Sequence, residues 1–366
     1  MQISYYKKLL ILNLIKIFKR NGMRGKMRFG ILSDTHLGKS RFRKISNMQN
    51  TFCDLGNKVF EEAMGILGDP SHDIDAVLIV GDLYDSPNPS VQSIKVANSL
   101  VKLDVPKYIL GGNHDFSQKD ATIGCHPFDL LKGSKIITVY EQGKFFDFDD
   151  CDLTMIPYKS LNEDSFKSLY RGKLRDKSKC SILLIHGSID LNGDSESLDY
   201  TLPKSVAANY NLVIAGHVHL AQLIKTKTTS ILVPGSIMPS AQANSNALKP
   251  SVYIYDTDSK KIESIELKLS PKIYDVITDD INVALEKIAN QNFSNDLYFV
   301  KYNGKMQDID EYLYKRASQN ILNLSIQTNE QIEINTPVKK MSDFWTYVDE
   351  SCPIYYDEFK SLLKGE

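Results

Sequence analysis

The sequence predicts an α/β protein with mixed or paired sheets, followed by a small α+β unit and a short helical segment. Three observations predict this. From residue 27 onward, apolar runs of strand length alternate with stretches of helical periodicity. Toward residue 270 that alternation gives way to consecutive short strands, which points to a mixed sheet or two packed sheets and away from a pure dinucleotide-binding fold. Composition then shifts at Ser270-Pro271, after which the polar, charged residues of a smaller unit begin.

Each element has its own reason. Phe29-Gly-Ile-Leu-Ser33 anchors a strand near 27–33. A helix near 45–67 follows, with Val59, Phe60, Ala63 and Ile66 at helical spacing. The run from Val77 to Val80 predicts a fully buried strand at 76–80, and a helix near 90–103 precedes another strand at 107–111. Shorter β runs are expected at 135–139, 144–148 and 152–156, then a helix near 162–171 and strands at 181–185 and 211–215. Further β segments are expected near 221–226, 230–233, 251–256 and 261–268. In the unit at 271–335, helices are expected near 280–290 and 307–319, with strands near 296–302 and 321–327. Residues 336–366 carry Phe344, Trp345, Tyr347, Val348, Phe359, Leu362 and Leu363 on short helical segments.

The domain organisation read from this is an extension at 1–26, a main domain at 27–270, the small unit at 271–335 and the terminal segment at 336–366. The extension has an apolar stretch, Leu9-Leu-Ile-Leu12, interrupted by Asn13 and Lys16 and closed by Lys19-Arg20. It is too broken to span a bilayer. It reads as a frayed extension, as translation beginning at Met23 or Met27, or as a basic amphipathic helix on a membrane surface.

A chain of 366 residues suggests about two domains. Hydrophobic content of 42% and charged content of 24% describe an ordinary globular protein. A net charge of -1 gives no global basic field to draw the chain to nucleic acid, but leaves open a nuclease whose positive charge comes from metals. The five cysteines (Cys53, Cys125, Cys151, Cys180 and Cys352) include no CxxC pair, so a reducing cytoplasm fits better than a disulfide framework or a zinc ribbon.

The chemistry lies at the strand ends. Five apolar runs stop in residues that bind or donate: Asp34-Thr-His36, Gly81-Asp82, Gly112-Asn-His-Asp115, His186-Gly187 and Gly216-His-Val-His219. In open α/β sheets, sites assemble in the crevice at the carboxyl ends of strands. Asp34, His36, Asp82, Asn113, His186, His217 and His219 form a mixed oxygen and nitrogen set without thiolate. Such a set suits Mn²⁺, Fe²⁺ or Zn²⁺ in open coordination and is nitrogen-rich for a dedicated Ca²⁺ or Mg²⁺ cage. Seven ligands exceed one tetrahedral ion and fit two ions sharing Asp82. An ion pair of that kind clamps a phosphate ester and stabilises both the attacking and the leaving oxygen. His114 then stands where it can protonate a leaving oxygen or steady the phosphate.

These ordered motifs, with Gly81-Asp82-Leu-Tyr-Asp85 complete, resemble the calcineurin-like metallophosphoesterases. The resemblance implies a four-layer αββα fold. It also implies one metal held by Asp34, His36, Asp82 and His219 and a second held by Asp82, Asn113, His186 and His217. The ions expected are Mn²⁺ first, with Mg²⁺ or Fe²⁺ as the other choices. His114 and Asp115 are the expected catalytic residues. Within that superfamily, Ser33-Asp-Thr-His-Leu-Gly38, Gly81-Asp-Leu-Tyr-Asp-Ser-Pro87 and Pro234-Gly-Ser-Ile-Met-Pro-Ser240 make the chain similar to the SbcD-type nuclease subunits of double-strand-break repair, near their phage recombination-endonuclease branch.

What that resemblance implies is a DNA nuclease in the cytoplasm of a bacterium, or of a phage's host. It implies a capping domain at 271–335 that binds DNA. It also implies a segment at 336–366 that binds an SbcC-type, SMC-like ATPase, within a homodimer-based heterotetramer and away from membranes. The chain itself has no G-x-x-x-x-G-K-[ST] phosphate loop. Relatives that carry a His at the position of Asp85 leave this carboxylate the role of orienting its loop. The competing readings are a stand-alone phosphoesterase on a substrate other than DNA and a non-catalytic scaffold that keeps the fold. His72, His126, Cys125 and Cys151 lie outside the motifs and are expected to be structural.

Overall fold

The computed structural model describes residues 26–39, 46–116, 126–131, 133, 135–161, 178–190, 201–239, 249–292, 294–321 and 323–328. The extension at 1–26 (apart from its last residue), the helix expected near 162–171 and the aromatic segment at 336–366 lie outside these residues.

Two six-stranded sheets form the main body. The first contains β1 (Arg28–Leu32), β2 (Ala76–Val80), β3 (Lys107–Leu110) and β4 (Ile136–Val139), all parallel. The second is centred on β6 (Cys151–Ile156), β7 (Cys180–His186), β10 (Leu212–Gly216) and β12 (Ser230–Val233), again parallel, with β5 (Lys144–Asp147) and β11 (Gln222–Lys225) as antiparallel edges. Between β7 and β10 a two-stranded ribbon joins β8 (Ser188–Asp190) to β9 (Thr201–Pro203). The first sheet is completed by β13 (Ser251–Asp256), antiparallel to β1, and β14 (Lys261–Glu266), antiparallel to β13. Its order is β14-β13-β1-β2-β3-β4, and that of the second is β11-β12-β10-β7-β6-β5.

The parallel strands are largely apolar because both of their faces are covered, β2 wholly so, with Lys107 of β3 and Asp152 and Thr154 of β6 among the buried polar exceptions. One core joins the sheets face to face, with Phe29, Ile31, Leu78, Val80 and Leu110 of the first against Leu153, Met155, Ile182, Leu184 and Ile214 of the second. Alternate residues of the second sheet, among them Leu183, Ile185, Val213 and Ala215, face outward into another cluster with Leu202 and Ala207, the latter on the short α3 (Lys204–Ala207). The outer face of the first sheet lies under α1 (Ser46–Gly68), whose Val59, Phe60 and Ala63 are buried. Gly30 of β1 is open enough for Leu67 of that helix to fill the space a Cβ would take. The helix α2 (Val91–Ala97) is capped by Ser90 and runs into a 3₁₀ turn at Asn98–Lys102, so the single helix expected over 90–103 is two pieces. Glu62 of α1 accepts the backbone amides of Lys268 and Leu269, both at 2.9 Å, and so ties down the chain after β14.

The described residues divide into two compact units, one taking those up to 274 with those in 293–298 and 321–323, the other taking those in 275–292, 299–320 and 324–328. A three-stranded sheet orders β15 (Ile273–Thr278), β16 (Leu297–Tyr302) and β17 (Asn323–Thr328). In the smaller unit, α4 (Ile281–Ala289) is capped by Asp280 and buries Ile281, Leu285, Ile288 and Ala289. α5 (Glu311–Gln319) is capped by Asp310. The two helices are bridged by Asn320 Nδ2 donating to the Ala289 carbonyl at 2.7 Å and by Asn282 joining the Asp308 carbonyl and the Asp310 amide. Strand β15 was not expected from the sequence. Among the described residues, no helix is long and apolar enough to cross a membrane.

Candidate metal centre

The parallel register brings the carboxyl ends of β1, β2, β3, β7 and β10 to one edge, and the chain turns sharply there. Asp34, His36, Asp82 and His217 all adopt positive φ, at 48°, 44°, 49° and 86°. Asp and His tolerate that left-handed region better than most side chains, but each still costs about 1–3 kcal/mol if strained. Gly81 (φ 86°) precedes Asp82, and a Cβ there would overlap the His186 ring. At Gly112 a Cβ would overlap the Asp82 carboxylate itself.

The turns are zipped together by backbone. The His36 amide donates to the Asp82 carbonyl and the Leu37 amide to the Leu83 carbonyl, both at 2.9 Å, and the Asp85 amide returns to the Leu37 carbonyl at 3.1 Å. The result is that all seven residues expected as ligands stand together. Asp34, His36, Asp82 and His219 form a group whose donor atoms lie within 4.8 Å of one another. In it His36 Nε2 is 2.9 Å from His219 Nε2 and 3.6 Å from Asp82 Oδ2, and His219 Nε2 is 3.7 Å from Asp34 Oδ1. On the other side of Asp82, Asn113 Oδ1 is 3.1 Å from His186 Nε2 and 2.9 Å from His217 Nδ1, while His186 Nε2 is 3.4 Å from Asp82 Oδ2.

Supporting contacts orient these groups. His186 Nδ1 donates to the Val80 carbonyl at 2.9 Å, which turns Nε2 toward Asp82. Asp34 accepts the His217 amide at 3.1 Å on both oxygens, and its carbonyl accepts the Ser236 hydroxyl at 3.0 Å. The His114 amide donates to Asp82 Oδ1 at 2.9 Å.

Electrostatics fit a cation at this edge. Burial alone would raise the Asp82 pKa, but His186, His36 and His114 outweigh it and hold the group well below the usual carboxylate range. Burial, then His186, lowers His217, and burial lowers His219 to about 4. Neutral imidazoles are the form that ligates a metal. Two imidazole nitrogens facing each other at 2.9 Å, His36 and His219, need either one shared proton or a cation between them. The mixed oxygen and nitrogen donor set therefore fits a divalent cation.

His114 stands apart from the ligands yet touches them. Its ring packs edge-on to His36 at 4.7 Å, and its Nδ1–H donates to the Asp85 carbonyl at 3.0 Å. Asp85 Oδ1 lies 3.1 Å from His36 Nδ1, although out of line for a hydrogen bond. Asp115 faces the other way. Its carboxyl is buried, and its oxygens accept the Tyr84 amide at 3.1 Å and the Gly112 amide at 2.9 Å. Burial, with the nearby Asp82 charge, raises its pKa to about 8. Expected among the catalytic residues, Asp115 is placed as a brace for two loops. Outside the cluster, His126 is occupied structurally, with Nδ1 accepting the Phe128 amide at 3.2 Å and its ring stacked on Tyr140 at 4.0 Å. Cys151 is a buried free thiol.

Sequence reasoning missed Tyr158. Its ring lies 6.3 Å from the His186 ring and 6.0 Å from the His217 ring. A sixth strand end, that of β6, delivers it, but the end is marked by Pro157 and an aromatic rather than by a ligand type, so residue chemistry gave no signal.

The model of the calcineurin-like phosphoesterase family matches residues 27–221. The DNA double-strand break repair protein Mre11 of Saccharolobus solfataricus is 23% identical over 214 residues, 56% of this chain and 53% of that protein. Its counterpart in Methanococcus maripaludis is 26% identical over 207 residues, 53% and 52% of the two chains. The D-type subunit of the nuclease SbcCD from Staphylococcus saprophyticus is 23% identical over 324 residues, 80% of this chain and 83% of that one. The chain spans about half the length of the two Mre11 proteins it matches.

The geometry makes Asp115 and His186 testable. Asp115→Ala strands two buried amides at about 1–3 kcal/mol each, so a loss of about 2–6 kcal/mol is expected in denaturant unfolding. An unchanged midpoint would remove the bracing role. For His186 the variable is pH. Burial would lower its pKa, but the Asp82 and Asp34 charges raise it to about 9. A His whose folded pKa lies above its unfolded value of about 6.5 stabilises fully below that value, and the gain is lost as pH rises through about 9. A divalent ion held by His186 would need the Nε2 lone pair, so its binding would have to expel this proton. Mn²⁺ affinity should therefore rise from about pH 6 to about pH 9, with proton release that titration calorimetry reads from buffers of different ionisation enthalpy. Affinity independent of pH over that window would overturn the assignment.

Proposed function

The chain belongs to the calcineurin-like phosphoesterase family, and on that premise we propose that it is a divalent-metal-dependent nuclease subunit that hydrolyses the phosphodiester bonds of DNA. The observation that carries this reading is the convergence of seven side chains from five strand ends into two groups that share Asp82. Asp34, His36, Asp82 and His219 would hold one ion, and Asp82, Asn113, His186 and His217 the other. When bound, such ions supply Lewis acidity to phosphoryl oxygens and acidify water.

The protein's own groups have separable roles. Asp82 is kept ionised and aimed by the His114 amide and by the imidazoles around it. His186 is turned by its Nδ1 bond to the Val80 carbonyl, the His217 backbone is held by its amide on the Asp34 carboxylate, and His186 Nε2 and His217 Nδ1 both meet Asn113 Oδ1. The His114 Nδ1–H is spent on Asp85, so the proton it can give to a leaving oxygen sits on Nε2. Asp115 is a positioning residue, holding the Gly112 and Tyr84 amides while the adjacent His114 faces the substrate.

DNA as substrate is supported by the relatives' names, which describe double-strand break repair proteins and a nuclease subunit. The last of these names, that of a subunit, supports a multi-subunit assembly. The partner in this reading is an SbcC-type ATPase bound by residues 336–366.

Asp82→Ala is expected to abolish DNA cleavage and lower bound Mn²⁺, read by elemental analysis, with the far-ultraviolet circular dichroism retained. His114→Ala should keep its metal and cut about 10²–10⁴-fold more slowly. A folded Asp82→Ala protein with full activity would sink the shared-ion reading. Loss of metal from His114→Ala would make that residue a ligand or a prop. Wild-type protein that hydrolyses a small phosphodiester but no oligonucleotide would leave a phosphoesterase of another substrate class.

A further inference from the structure

Beside the His186 and His217 side of the cluster stands an aromatic group that none of the metal chemistry requires. Tyr158 follows Pro157 at the end of β6, and its amide donates to the Gly111 carbonyl at 3.0 Å, which pins it to the loop leading into Asn113. Its ring is held within 6.3 Å of both imidazoles, tilted 37° to His217 and 71° to His186. The next residue, Lys159, is exposed, and its ammonium lies over the Phe116 ring at 5.7 Å. Phe116 in turn packs against His126 at 5.1 Å and Tyr140 at 6.5 Å. One flank of the site thus presents an aromatic ring and a cation on a backbone that is fixed by β6 and by the 3₁₀ turn at Tyr158–Ser160.

A phosphate ester needs neither group to be hydrolysed. A nucleotide does use both kinds. Aromatic faces stack bases without regard to their identity, and lysines follow the phosphates. Tyr158, which follows a different strand from those that supply the two imidazoles, brings such a face beside them.

We propose that Tyr158 and Lys159 form a nucleotide-positioning subsite, in which the Tyr158 ring stacks the base next to the scissile phosphate and Lys159 meets the neighbouring phosphate. This rests on the nuclease reading above and deepens it, because it makes the site selective for a nucleoside flank over an arbitrary ester. Stacking without hydrogen-bond readout predicts little preference among the four bases. The contact is made in the ground state as well as the transition state, so its loss should appear in KM and not in kcat.

The test compares wild type, Tyr158→Phe, Tyr158→Ala and Lys159→Ala, all full-length and Mn²⁺-loaded. Each is assayed on a single-stranded oligonucleotide and on one of equal length with abasic positions throughout. Wild type should show a lower KM for the natural strand. In Tyr158→Ala the KM for the natural strand should rise about 5- to 100-fold and the ratio of the two KM values should approach one, while Tyr158→Phe keeps the wild-type ratio. Lys159→Ala should raise KM for both strands and flatten the salt dependence. A ratio that stays at the wild-type value in Tyr158→Ala overturns the subsite while leaving the nuclease reading intact. So does a fall in kcat with loss of Mn²⁺, which would make Tyr158 a prop for His186 and His217. A wild-type protein that cuts neither oligonucleotide overturns the nuclease reading, and the subsite falls with it.

Discussion

The arrangement at the strand ends depends on one buried carboxylate. Asp82 is 1% exposed and sits at the end of a strand that is apolar along its whole length. A charge in such a place is costly unless it is compensated. Compensation comes from His186 and His36, with Oδ2 3.4 Å and 3.6 Å from their Nε2 atoms, and from the His114 amide. These partners come from three different strand ends, so the two sheets must close on one another for Asp82 to be tolerated at all. The same demand reaches into the backbone. Only glycine at position 112 leaves room for the carboxylate, and only glycine at 81, which also takes the left-handed turn, carries the chain from strand to site without striking His186.

The strain at this edge has an architectural origin. A parallel strand ends by running into solvent, whereas here the chain must reverse at once so that Asp34, Asp82 and His217 face inward. Left-handed turns achieve this in single residues, at a cost of about 1–3 kcal/mol each when strained. The buried sheets below supply the offset, because apolar burial contributes roughly 25 cal/mol per Å² and the central strands are covered on both faces. Rigid strands with strained ends keep the polar groups preorganised, which loops of ordinary conformation would do less well.

Much of this was legible in the sequence. Most of the parallel strands are apolar on both faces, so they read as nearly unbroken runs, and Gly followed by Asp, Asn or His marks where several of them stop. That is why β1, β2, β3, β7 and β10, and the seven ligand-type residues, could be placed from residue order alone. Less legible was anything decided by tertiary context. The pairing of β8 with β9 rests on two three-residue segments too short to carry a period. In β15 the alternation is blurred by Asp275 and by exposed Tyr274 and Ile277. The Gly112-Asn-His-Asp115 string looks equally catalytic along its length, but consecutive residues in a tight turn point in different directions. Hence His114 faces the cluster and Asp115 the interior.

That divergence between neighbours bears on how the cluster stays folded with two carboxyl groups so close. Asp115 and Asp82 repel, and burial disfavours charge on both. Their environments separate them. Asp82 faces imidazoles and is held ionised, while Asp115 faces two amides, and its pKa rises to about 8. A proton on Asp115 removes the repulsion without giving up its two acceptor oxygens, and a proton on His186 neutralises Asp82. The protein therefore balances its strand-end charges with its own protons, and His186 would have to give up its proton for the proposed divalent ion to be held beside Asp82. The backbone turns at Asp34, Asp82 and His217, tied by the hydrogen bonds of the His36 and Leu37 amides to the Asp82 and Leu83 carbonyls, set where these side chains stand.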